Sequence, residues 1–188
     1  MKQQIDTVFC VASGPSLTRA DCELIEATGS PVIAVNNTWQ LFAAPYALYA
    51  GDLGWWNEYN SQVPRGRFRL ICANKVAARE YGLEYRRYIE RGEGFNSGAM
   101  AISLAAEIGA LRVILVGYDC SLKGGAHWHG SHSGKLRDPT KASPDKWQKH
   151  FRREREKHKT LTILNASRRT ELQCFPLITL EEAIAALS

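Results

Sequence analysis

No two of the five cysteines (Cys10, Cys22, Cys72, Cys120 and Cys174) stand in a CxxC pair, and they are odd in number and far apart. Neither a disulfide framework nor a cysteine zinc site is expected from that spacing. Cys10, Cys72 and Cys120 each lie in or at the end of an apolar run and read as buried small hydrophobes. No apolar run comes near the roughly 20 residues that cross a bilayer. The polar start, MKQQIDT, has no apolar core of a secretory leader, so a cytoplasmic protein without a membrane partner is expected. The chain also has no internal repeat, no low-complexity stretch and no linker rich in Gly, Pro or Ser. One domain spanning 1–188 is the simplest organisation. Neither GxGxxG nor GxxxxGK[ST] occurs, which removes the dinucleotide fingerprint and the kinase P-loop.

What is present is an ordinary globular composition, 45% hydrophobic and 23% charged, which excludes fibrous and disordered classes. Short apolar runs alternate with helical periodicity. Residues 7–12 (TVFCVA), 31–35, 46–50, 67–72 and 112–116 (RVILV) read as strands, with 161–164 a further candidate. Between them, residues 18–28, 97–108, 143–159 and 179–187 read as helices. Ser143-Pro144 is taken as an N-cap followed by proline at the first helical position, and Thr179 with Glu182 as a capping box. The pattern predicts an α/β fold, a single Rossmann-like three-layer sandwich of five or more mainly parallel strands, with residues 8–12 and 113–116 central.

Such sheets bind ligands outside the carboxyl ends of their strands. The polar residues expected there are Ser13, Gly14, Pro15 and Ser16, then Asn36 and Asn37, Asp52, and Tyr118 and Asp119. Asn96, Ser97 and Gly98 open a helix, where free N–H groups and the positive end of the dipole suit a phosphate. All twelve are candidates for holding a nucleotide. Tyr46, Tyr49, Trp55, Trp56 and Tyr59 crowd the region of Asp52, either as core and cover or as a stacking platform.

The most unusual string is His127-Trp128-His129-Gly130-Ser131-His132, three of the chain's five histidines within six residues. It is open to three readings: a metal site, a general base with neighbours that bind phosphate, or loop histidines that cap and stack. No Asp-x-Asp pair accompanies it, which speaks against carboxylate-bound Mg²⁺ or Mn²⁺. Arg168 and Arg169 follow the last strand candidate and join Trp128 as candidates for an acceptor or phosphate. Between residues 141 and 160 eight Lys and Arg face three acidic residues, so this segment carries the chain's whole net charge of +5. A solvated helix face and a surface for nucleic acid both fit that bias; Trp147, Phe151, Arg152 and Arg153 are its candidate contacts.

Taken in order, SGPSL (13–17), the strand-end Asn36-Asn37, Asn96-Ser97-Gly98, RVILVGYD (112–119) and the His-Gly-Ser-His loop resemble the bacterial Rossmann-like sialyltransferases that build host-mimicking lipooligosaccharides. The related pterin-diphosphokinase-like group is similar, and so are the short forms common in bacteriophage genomes. The resemblance implies a cytidine nucleotide donor held by Gly14, Pro15, Ser16, Asn36 or Asn37, Ser97 and Gly98. It also implies a histidine base, for which His132 fits best and His129 is the rival. The chain departs from the family in carrying Ser13 and Asp52 where asparagines are usual, and Ser121 where a tyrosine is usual.

The expectation is a metal-independent, glycosyltransferase-like enzyme without a resident cofactor. Its substrate is a nucleotide or nucleotide-sugar donor, and it works in the host cytoplasm if phage-encoded. Two alternatives stand beside it. One is a metal-dependent phosphate-ester hydrolase built on His127, His129, His132 and Asp119. The other is a non-catalytic module that binds nucleotide or nucleic acid through 141–160.

Overall fold

The apolar run at 7–12 becomes the heart of β1 (Ile5–Val11), where Val8, Phe9, Cys10 and Val11 are all completely buried. A strand apolar on both faces has to be covered on both, and that requirement sets the architecture. The computed structural model describes residues 5–89, 95–131, 136 and 138–187. Beside β1 lie β2 (Val32–Val35), β3 (Ala47–Tyr49), β4 (Arg69–Cys72), β5 (Glu84–Tyr85), β6 (Ala110–Val116) and β7 (Thr162–Asn165). They form one sheet in the order β5-β4-β3-β2-β1-β6-β7, with every neighbouring pair parallel. β1 runs in register with β2 through Phe9 and Val32, and with β6 from Ile5 opposite Ala110 to Val11 opposite Val116. Both β1 and β6 therefore have a strand on each side and lie in the interior of the sheet.

Alternate side chains of these strands feed two layers. Phe9, Val11, Ala34, Ile114 and Val116 pack with Cys22 and Ile25 of α1 (Arg19–Ala27). Trp55 and Trp56 of α2 (Leu53–Tyr59) and Ala77 of α3 (Lys75–Tyr81) cover Leu48, Leu70 and Cys72 on the same face. The opposite residues, Val8, Cys10, Ile33, Val113 and Leu115, pack with α4 (Ser97–Glu107) and with Phe151 of α5 (Ser143–Lys157). α6 (Leu180–Ala185) adds Leu180 and Ala183 to the α1 side. The result is the three-layer α/β/α sandwich that the alternation of the sequence implied. α4 is buried along nine consecutive residues, 97–105, because it is wedged between the sheet and α5, and only an apolar, small-residue helix fits there.

Local chemistry explains most of the ends. Thr18 and Asp21 close a capping box on α1, and Thr179 and Glu182 close one on α6. α3 starts on Asn74, whose Oδ1 accepts from the N–H groups of Val76 and Ala77, and stops on Gly82 at φ 63°. One expected cap differs. Ser143 is the first helical residue of α5 rather than its cap, and its Oγ accepts from Thr140 N at 2.9 Å. All five cysteines are free; Cys120 is half-buried and the other four are buried. No described helix is long and apolar enough to cross a membrane.

Candidate functional site

The connections out of β1 and out of β6 lead to opposite faces of the sheet, to α1 and to α5, so a crevice opens above the carboxyl ends of these two strands. Its first wall is the turn after β1. Gly14 N donates to Gly117 O at 2.8 Å, locking the turn to the end of β6. A Cβ on Gly14 would come to 2.2 Å from Asp119 Oδ1 and 2.5 Å from Gly117 O, so the turn passes where only glycine fits. Asp119 secures the same turn from the other strand. Its carboxylate accepts from Ser16 N at 2.9 Å and from Ser16 Oγ at 2.7 Å. Burial pushes the Asp119 carboxyl above its ordinary range, against the opposing pull of the Ser16 bonds and of Arg169.

The second wall is the start of α4. Asn96 caps it, its Oδ1 accepting from Ala99 N at 2.9 Å, which leaves the N–H groups of Ser97 and Gly98 ahead of the intrahelical ladder. Ser97 Oγ accepts from Gly51 N at 3.1 Å and so ties the helix start to the exit of β3. Tyr118 passes beneath, its hydroxyl donating to Gly98 O at 3.1 Å and its ring edge-on to Phe151. Gly98 leaves room for this packing, since a Cβ there would meet the Tyr118 ring at 3.1 Å and Asn96 Oδ1 at 3.2 Å.

The third wall is the loop after β6. Trp128 N donates to Ser13 O at 3.0 Å and clips the loop to the β1 turn. The clip brings His127 Nδ1 to 3.0 Å from Ser13 Oγ. His127 and His129 stack with ring centroids 4.9 Å apart and planes 8° from parallel. Together the walls enclose a cavity of about 470 Å³, within the range that holds a small ligand.

Of the residues expected to bind ligand, Ser13, Gly14, Pro15, Asn36, Asp52, Asn96, Ser97, Gly98, Tyr118, Asp119 and His127 line this one cavity. Asn36 reaches it with φ at 51°, a left-handed conformation that asparagine tolerates better than most residues. Its Oδ1 is buried and has no hydrogen-bond partner among the described residues. Asp52 contributes while capping α2, its Oδ1 accepting from Trp55 N at 2.8 Å.

The other candidates are placed elsewhere, for identifiable reasons. Asn37 is buried beneath the site, its Oδ1 accepting from Trp55 Nε1 at 2.6 Å. Ser16 turns inward to Asp119. Trp128 packs on the α1 face of the sheet, and His129 stands edge-on to Trp128, behind His127. Arg169 lies on the outer rim, its guanidinium 3.0 Å from where a Cβ on Gly124 would be. His132 lies outside the described residues. Among the described residues no three His, Cys, Asp or Glu side chains gather as a ligand set.

Arg168 is the clearest correction. Its Nη2 donates to Asp21 Oδ1 at 2.6 Å and to Glu181 Oε1 at 2.7 Å, stapling α1 to α6 away from the cavity. The Asp21 side chain is only 2% exposed. Burial alone would raise its carboxyl, but the bonds from Arg168 and Thr18 outweigh it and hold the group below its ordinary value. Arg168→Ala strands a buried carboxylate and is expected to cost about 3 kcal/mol of stability. A lowered folded pKa gives stability that is present above the unfolded value and lost as pH falls through the folded one. The gap between wild type and variant should therefore close in acid, which denaturant unfolding at neutral and acidic pH measures.

Several lining residues were not expected at this cavity. Phe95, Leu136, Asp138 and Pro139 come from the connections before α4 and α5, while Ser143, Trp147 and Phe151 come from α5 itself. The described lining thus holds three carboxylates (Asp52, Asp119, Asp138) and neither Lys nor Arg. Positive potential inside it comes from the N-terminus of α4.

Fold and site together define a doubly wound α/β domain with a ligand-sized cavity at its topological switch point. No family model and no curated protein matches the chain. Among solved structures, the MAf glycosyltransferase from Magnetospirillum magneticum AMB-1 superposes with a TM-score of 0.67 at 15% identity. The match covers 99% of this chain but 36% of that one, so the chain spans little more than a third of the neighbour's length. At that identity the likeness concerns the fold.

Proposed function

We propose that the protein is a glycosyltransferase-like enzyme that takes a nucleotide-activated donor, with a cytidine sugar nucleotide the first to test. The observation that carries this reading is the convergence of the β1 turn, the α4 N-terminus and His127 on one cavity. The donor's phosphates sit against the N–H groups of Ser97 and Gly98, where free donors and the helix dipole favour an anion. Asn36 Oδ1 accepts a hydrogen bond from the nucleoside, a contact that removes the cost of a buried, unpaired acceptor.

His127 is the general base. A proton on Nδ1, donated to Ser13 Oγ, leaves Nε2 as the basic nitrogen. Nε2 takes the proton of the acceptor hydroxyl while that oxygen bonds to the donor carbon. The bond from this carbon to the phosphate oxygen breaks, and the nucleoside phosphate leaves with the electron pair. The charge growing on the leaving group falls on the α4 N-terminus, so the step is proposed to need no metal. Dependence of turnover on a divalent cation would instead favour the hydrolase reading.

A thermal-shift screen of nucleoside mono- and diphosphates and sugar nucleotides tests the donor. A rise in melting temperature with nucleoside diphosphates is expected, and the absence of any shift across the set would overturn the reading. Asn36→Gly sharpens it. Glycine keeps φ at 51° without strain and deletes only the amide, so the variant should melt no lower than wild type. Its nucleotide affinity should fall about tenfold.

A further inference from the structure

The segment that carries the chain's whole excess of positive charge is also a wall of the cavity. α5 presents Ser143, Trp147 and Phe151 to the cavity from its first two turns. Lys146, Lys149, Arg152 and Arg155 follow one another at three-residue steps on the other side of the helix. All four are exposed and make no ion pair with any described residue. The neighbouring charges are already engaged. Arg153 lies 3.6 Å from the buried Glu154, Lys159 pairs with Glu156, and Lys157 donates to Tyr88 O. Asp145 is the one acidic residue of the exposed face without such a partner. At 1.5 Å per residue the four free cations span about 14 Å, the reach of two or three nucleotides of an extended strand.

Aromatic surface stands at the cavity end of this stripe. Trp147 is half-buried in the cavity wall, and Phe95, also in the lining, is 37% exposed. A row of unpaired cations leading to accessible rings is the combination that holds unstacked bases: charge follows the backbone and the rings take the bases. A duplex offers the cations the same phosphates but keeps its bases away from the rings.

We propose that α5 is a docking surface for single-stranded nucleic acid, tracked by Lys146, Lys149, Arg152 and Arg155 and anchored on Trp147, which delivers a hydroxyl of the strand to the cavity as acceptor. The acceptor role rests on the transferase reading; the docking does not. Phe151, buried against Tyr118 and Phe175 in the cavity wall, supports Trp147 from beneath and is not a contact.

Fluorescence anisotropy of the whole chain with a labelled oligothymidylate of about 12 nucleotides tests this, with an oligouridylate to separate DNA from RNA. Affinity is expected to fall with salt at a log–log slope near −2, as about two or three neutralised phosphates require. Lys149→Glu with Arg152→Glu should weaken binding at least tenfold at moderate salt, and Trp147→Ala about tenfold by loss of stacking. Duplex DNA and heparin at equal charge should compete poorly. Equal binding of heparin and the single strands, together with no effect of Trp147→Ala, would overturn the proposal by reducing the surface to unspecific charge. Binding unchanged by the double charge reversal would overturn it as well. The two readings fail separately: the charge-reversed protein should keep its nucleotide-induced thermal shift, and Asn36→Gly should keep its affinity for the strand.

Discussion

His127→Gln should lower turnover about a thousandfold while leaving the nucleotide-induced rise in melting temperature nearly intact. A positioned general base contributes between about a hundred- and ten-thousandfold, and the acceptor, not the donor, is what it touches. The expected kinetic signature is a fall in kcat with little change in the donor KM. Ser13→Ala gives the companion result. It removes the oxygen 3.0 Å from Nδ1 and leaves the imidazole in place, so turnover should drop by a smaller factor, about tenfold. Its pH–rate profile should shift, because the hydrogen bond to Nδ1 is gone. A His127→Gln enzyme of normal rate would return the role of base to His132, which the family resemblance favoured. Steady-state kinetics over a pH series, beside thermal shift, decides between them.

The second large effect is structural. Gly14→Ala should destabilise the protein by about 3 kcal/mol and abolish ligand binding, because the added carbon has no space on either side. One obstacle is backbone, Gly117 O at 2.5 Å; the other is the Asp119 carboxylate, itself fixed by two bonds from Ser16. Gly29→Ala is the control. That glycine has φ of 70° but nothing within 4 Å of a Cβ, so it should lose only the conformational penalty of about 1 kcal/mol. The double variant Gly14→Ala with Asp119→Ala should recover part of the loss and no more, since Gly117 O remains. Denaturant unfolding of the four proteins gives the comparison.

The strands that build the site were legible because a strand covered on both faces needs an unbroken apolar run, and residues 7–12 and 112–116 are such runs. β5 was not, since two half-buried residues, Glu84 and Tyr85, leave no period to detect. α3 could have been found, as Asn74 and Gly82 bracket it with a cap and a left-handed stop. At the site, spacing placed Ser13, Asn36, Asp52, Ser97 and Asp119 at strand ends, but it could not say which way each side chain turns. Asn36 and Asn37 are neighbours with opposite fates, one at the cavity and one beneath it, because Asn36 adopts a positive φ and Trp55 takes the amide of Asn37. Arg168 was misplaced for a similar reason: Asp21 lies 147 residues away along the chain, and nothing local announces that pairing. The gathering of α5 over the crevice was invisible too, since it depends on how residues 117–142 travel.

The clamp between Ser16 and Asp119 joins groups 103 residues apart in the chain. β1 faces the same delay, for its longer register is with β6. At a synthesis rate of about 5–20 residues per second, β1 waits roughly 5–20 s with one apolar edge unpaired before β6 has emerged from the ribosome. An uncovered edge of that kind invites pairing with other chains. Long-range pairing also slows folding, because the loop must close before the contacts form. The nascent protein is therefore most vulnerable to aggregation while half a sheet exists without its crevice, and a pocket able to hold ligand marks the moment at which that exposure ends.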